Sequence, residues 1–214
     1  MELTEIKDIA LTLAAFSSIY VGIAGVYAWK RQLQGNTEYV LAKGVLTALY
    51  ELRGAIDLAR NGFQSYYPDL PAEELNKLDP KEKQWLIILN GYRKRWDTIT
   101  LADAKFKSCL IEVEVVWGRD LITKTKPLSS LMNELFFAMN ECCIYDFNRT
   151  FNPRVPTDEE FAQFKKSEKI LYKSFDEEDA YMKRLEKVIS DIENVLKPHI
   201  LQYHSVKTRK VDSP

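Results

Sequence analysis

The chain has 214 residues, with 30 Lys and Arg against 31 Asp and Glu, a formal net charge of −1 and 46% hydrophobic residues. That balance leaves no basic footprint and argues against general nucleic-acid binding. Three cysteines, Cys109, Cys142 and Cys143, form an odd set without framework spacing, which excludes a disulfide-stapled scaffold and agrees with a reducing compartment.

The first element is an uncharged run. From Ile9 to Trp29 there are 21 residues without a charge, and a helix of that length covers roughly 30 Å, the thickness of a bilayer's hydrocarbon core. Tyr27 and Trp29 stand at its end, where amphipathic rings favour the headgroup zone, and Lys30 and Arg31 follow. A cleaved signal peptide needs a basic start, but Glu2, Glu5 and Asp8 outweigh Lys7 there. A buried core helix of this length would show a polar face, and none is present. The run reads as a retained single-pass anchor that meets the lipid bilayer through Ile9 to Trp29. Lys7 alone precedes it, whereas Lys30, Arg31 and Lys43 follow. The expected placement is therefore the cell (inner) membrane, with the N-terminus out and the C-terminal domain cytoplasmic. Ala10, Ala14, Ser18 and Gly22 recur every four residues, a small-residue ridge that suits a homodimer.

The remainder reads as helices. Asn36 is an expected N-cap after Gly35. Leu41, Val45, Ala48, Leu52, Ile56 and Ala59 then form one apolar face, stopped by Asn61-Gly62. Phe63–Asp79 is a loop. Asp79, Pro80 and Glu82 make a helix start with a capping box and proline at the first turn. Trp85, Leu89, Tyr92, Trp96, Ile99, Asp103, Phe106, Leu110, Val113 and Trp117 then alternate spacings of four and three, the mark of a long helix in a bundle or coiled coil. Gly118 ends it.

A third cytoplasmic helix begins at or before Pro127 and carries Leu128, Leu131, Leu135, Ala138, Cys142 and Tyr145. "NRTFNPRVP" breaks it, and Thr157 with Glu160 caps a short helix. The last stripe is Tyr181, Leu185, Val188, Ile192 and Val195, with Pro198 expected to kink or end it. "CLIEVEVVWG" is rich in β-branched residues but stays in register with the preceding heptads. The expected class is all-α: residues 1–30 a transmembrane anchor, 31–204 an antiparallel bundle with long helices, and 205–214 a flexible tail.

The segment "WKRQLQGNTEYVLAKGVLTALYELRGAI" (Trp29–Ile56), with "VEVVWG" and the closing "VLKPHIL", resembles a set of uncharacterised bacterial proteins. These share an N-terminal anchor, a W-K…L-x-G-x-T-E-Y/F motif and a helical remainder. The resemblance implies the same architecture and carries no site residues.

Chemistry-bearing motifs are scarce. His199 and His204 lie five apart, which misses the helical spacing of a metal pair. Cys142 and Cys143, adjacent on a helix, point about 100° apart and suit core filling. Glu112 and Glu114 do not face each other. No phosphate-cradling loop, nucleophile elbow or metal cluster is visible, so no catalytic, cofactor or metal residue is expected.

The expected role is a non-catalytic, membrane-tethered interaction or scaffold module binding itself, lipid or another protein. The alternative is an effector or enzyme subunit, or a small-ligand sensor, with a site inside the bundle. An up-down arrangement would gather Lys30, Arg31, Arg119, Lys124, Lys126, Lys207, Arg209 and Lys210 for anionic lipid. Asp103 is the one polar member of the longest stripe; it must pair, neutralise or find exposure, with Arg53 and Asn133 as nearest expected partners.

Overall fold

The computed structural model describes residues 3–62, 70–173 and 179–208, with the side chains of 3–16, 19, 72 and 202–208 outside that description. Among the described residues there are six helices and no strand, which agrees with the all-α class. The chain divides into two compact units, one of Met1–Lys43 with Lys197–Pro214 and one of Gly44–Leu196.

Helix α1 spans Leu3–Ala59 without interruption. The expected break at Gly35 and the cap at Asn36 are absent. A helical glycine costs about 1 kcal/mol relative to alanine, which long helical flanks on both sides absorb, and Thr37 Oγ returns to the Leu33 carbonyl at 3.0 Å.

Among the described residues no helix is long and apolar enough to cross a membrane. The expected span, Ile9 to Trp29, straddles the edge of that description, since the side chains of Ile9 to Phe16 and of Ile19 lie outside it. Ser17, Ser18 and every residue from Tyr20 to Gln34 are exposed. Of the small-residue ridge, Ala10 and Ala14 lie outside the described side chains, Ser18 is exposed, and Gly22 has open space around it.

After the short α2 (Ala72–Leu75) comes α3, Pro80–Trp117. Its start is the expected one: the Asp79 carboxylate accepts from the Lys81 amide at 2.9 Å, and Glu82 accepts from the Asp79 amide at 3.3 Å. Gly118 ends it at φ 79°, a left-handed value that favours a residue without Cβ. Helix α4 is Asp120–Phe151 and holds Pro127 inside its second turn, so the Thr123 carbonyl receives no bond from that position. Helix α5, Asp158–Leu171, carries the Thr157–Glu160 capping box. Helix α6, Ala180–Thr208, continues through Pro198, so the expected end is absent there; the expected tail is helical over 205–208, and 209–214 lie outside the description.

Within residues 44–196, cross-helix bonds fix the order. Lys105 of α3 pairs with Glu51, and Arg95 Nη1 donates to the Ala59 carbonyl at 3.4 Å, so α3 runs antiparallel to this part of α1. The Tyr50 hydroxyl donates to Glu193 at 2.8 Å and Arg53 pairs with Glu186, so α6 runs antiparallel to it too. Trp96 meets Phe136 at 4.8 Å and Trp85 meets Phe147 at 5.1 Å between centroids, which sets α3 against α4. The core follows the sequence stripes for α1 and α4. On α6 it rotates: Tyr181, Leu185, Ile189, Ile192 and Leu196 are buried, while Val188 and Val195 are half-buried. Leucine and isoleucine bury more apolar area than valine, and the helix turns to use them.

Candidate functional site

Two places concentrate polar groups with structure around them. The first is a node where α1 ends, α5 ends and α6 begins. Arg60, one residue past α1, has no exposed surface. Its Nε donates to the Ile170 carbonyl at 2.8 Å, and its two terminal nitrogens donate to both Asp179 oxygens at 2.8 and 3.1 Å. The guanidinium also lies over the Tyr181 ring, 4.7 Å from the centroid. Asp179 in turn accepts from the Met182 amide at 3.0 Å, so one carboxylate pairs with Arg60 and caps α6. Burial alone would raise this carboxyl; the Arg60 bonds, the Met182 amide and the guanidinium charge together hold it below its ordinary value.

Beside it, Arg95 is buried between the faces of Tyr92 and Tyr172, 4.9 and 5.6 Å from their centroids. The Tyr92 hydroxyl donates to Asp146 at 2.8 Å. Burial raises the Asp146 carboxyl above its ordinary value, against the Tyr92 bond and the charges of Arg149 and Arg95. Burial likewise raises Tyr92 far above the phenol range and pushes the Cys142 thiol up to about 12. A thiol held protonated is a poor nucleophile. The node is a joint between helices, tied by Arg60 and Asp179.

The second place is a groove of about 790 Å³ between the C-terminal half of α4 and α5, closed at one end by residues 152–157. Its floor is the Tyr145–Phe164 stack, 3.9 Å between centroids at 15°. Arg154 forks onto both oxygens of Glu160, which also takes the Thr157 amide at 2.9 Å. These bonds drop the Glu160 carboxyl to about 2, so it stays ionised and cannot serve as an acid at neutral pH. Ile144 and Val155 give the walls apolar surface; Asn148, Asn152 and Gln163 offer amides. A groove of this size and mixed lining is suited to holding a ligand. Its lining contains no His or Cys, and among the described residues no group of His, Cys, Asp and Glu could hold a metal ion.

Residues singled out from the sequence are scattered. Asp103 pairs with Lys107 on its own helix, 2.6 Å away, with 15% of its side chain exposed. Neither expected partner reaches it: Arg53 pairs with Glu186, and Asn133 is exposed. His199 sits 3.2 Å from Glu38, and His204 lies outside the described side chains. Cys142 is buried and Cys143 half-buried. Glu112 is exposed, and Glu114 pairs with Arg119 at 2.8 Å. Of the basic cluster, Lys30, Arg31, Lys124 and Lys126 are exposed, Arg119 is engaged by Glu114, and Lys207, Arg209 and Lys210 lie outside the described side chains. Sequence reading missed Arg60, Arg95, Asp146 and Asp179. No family model matches the chain, and neither curated proteins nor solved structures yield a match.

Proposed function

We propose that this protein is a membrane-tethered helical interaction module without catalytic activity. The observation that carries the reading is the uncharged run from Ile9 to Trp29. Its backbone is helical throughout, and its described side chains are exposed on every face, Tyr20, Val21, Ile23, Val26 and Tyr27 among them. A helix apolar on all faces is stable where lipid or protein covers it, and the closing Tyr27, Trp29, Lys30 and Arg31 are the residues of a membrane boundary. The resemblance of Trp29–Ile56 to anchored bacterial proteins supports the same reading. The excess of Lys and Arg after the run supports a cytoplasmic bundle. The buried Tyr92 and Cys142, each held protonated, favour binding over chemistry.

The test is fractionation. Full-length protein should remain with membranes through carbonate extraction, and a reporter fused after Pro214 should be active in the cytoplasm. Recovery of a shortened soluble chain starting near Trp29 would overturn it. A small-ligand sensor is the second reading, favoured by the groove between α4 and α5.

A further inference from the structure

Helix α3 has two apolar stripes. One faces the core. Opposite it, Leu101, Ala104, Ser108, Ile111 and Val115 recur at spacings of three, four, three and four, and all five are exposed. Leu101 is 76%, Ile111 64% and Val115 82% exposed. Single exposed apolar residues are ordinary on a surface. Five small or apolar residues in a heptad seam, on the side of a helix away from its own core, are the face another helix covers.

The flanking charges say which helix. With Leu101, Ser108 and Val115 as the a positions, Lys107 and Glu114 take g positions, and Lys105 and Glu112 take e positions. The seam is basic in one half and acidic in the other, so it complements itself. We propose that the partner is a second copy of this chain, docked α3 to α3 in parallel register. In that register the g residue of one copy meets the e residue five positions later in the other. Lys107 then faces Glu112 of the second copy, and the two-fold repeats the pair.

The antiparallel alternative aligns Lys105 with Glu112 and Lys107 with Glu114. It draws on three groups already paired within the chain, Lys105 with Glu51, Lys107 with Asp103 and Glu114 with Arg119. Among the described residues Glu112 has no ion-pair partner. Lys107 can hold Asp103 and a second carboxylate together, because an ammonium has three donors. The parallel register therefore draws on one engaged group, Lys107, where the antiparallel one draws on three. This interface lies wholly within residues 44–196 and does not depend on the tether.

Disulfide trapping in the full-length protein tests it. In a parallel seam each residue meets its own twin, and a-position Cα atoms come within the roughly 4.4–6.8 Å that a disulfide spans. Leu101→Cys, Ser108→Cys and Val115→Cys should each give a covalent dimer under mild oxidation, mapped to the new cysteine. Ser130→Cys, exposed on α4, should not rise above the wild-type background. Trapping at Ser108→Cys alone would reject the parallel register, and no trapping at any of the three would reject the interface. Charge exchange is the second arm. Lys107→Glu and Glu112→Lys should each slow trapping at Ser108→Cys several-fold, while the double exchange restores it. In the antiparallel arrangement the double exchange stays broken. Circular dichroism melts confirm that each variant is folded.

Discussion

Arg60 shows what a residue costs once it is sealed. Its charge has no exposed surface and rests on Asp179, the Ile170 carbonyl and the Tyr181 face. Removing one partner of a buried pair leaves the other uncompensated, a loss of about 3–5 kcal/mol. Arg60→Met and Asp179→Ala should each fall in that range by urea denaturation. The double variant should cost clearly less than their sum, because the stranded charge is gone. Strict additivity would show that the two side chains act separately. The node's two carboxylates also answer pH in opposite directions. Asp179 lies below its unfolded value when folded, so its contribution is present above the ordinary carboxylate range and is lost as pH falls through the folded value. Asp146 lies above its unfolded value, so the fold gains as pH drops through that window and loses as the carboxyl ionises. Asp146→Asn keeps an acceptor for Tyr92 and cannot ionise. It should be at least as stable as the wild type at pH 7, with the difference shrinking as pH falls through the raised Asp146 value and gone below about pH 4, the unperturbed carboxylate range. Thermal melts at the two pH values decide it, and a loss at pH 7 would mean that Arg95 and Arg149 need the charge.

Elements were legible where a local rule fixes them. Asp79, Thr157 and Gly118 mark helix ends through bonds to neighbours a few residues away, and the stripes of α1 and α4 are buried as their spacing requires, apart from half-buried Leu41 and Tyr145. The node was illegible because its pairing is distant: Arg60 and Asp179 are 119 residues apart. Arginine beside the Asn61-Gly62 stop reads as solvated surface until another helix closes over it. The groove was equally hidden, since it arises from how α5 folds back along α4. Asp103 belongs at this scale, because a pair with Arg53 or Asn133 would have fixed helix register. Its partner Lys107 is four residues on and 62% exposed, and such i, i+4 pairs contribute about 0.3–0.5 kcal/mol. Asp103→Ala should lower stability by no more than that in a denaturant melt. A loss of several kcal/mol would reveal a cross-helix partner and revive the register role.

At the scale of the whole molecule, the proposed tether is a question of solvent. A helix such as Tyr20 to Trp29, uncharged and exposed along its length, would draw other chains to itself in water and be at rest in hydrocarbon. Arginine distinguishes the two settings. Near the centre of a membrane span each arginine costs about 2.5–3.5 kcal/mol on insertion scales, whereas on a solvated helix surface a substitution stays within about half a kcal/mol. Ser18→Arg with Val21→Arg places two such charges in the run at positions that are exposed and touch no core. The pair should release most of the chain from carbonate-washed membranes while leaving the melting temperature of the helical bundle unchanged. Gln34→Arg, exposed beyond Lys30 and Arg31, should change neither. If the double variant stays with the membrane as tightly as the wild type, lipid does not cover this helix. A protein partner would then be the surface that holds it, and the bundle's link to the membrane would be indirect.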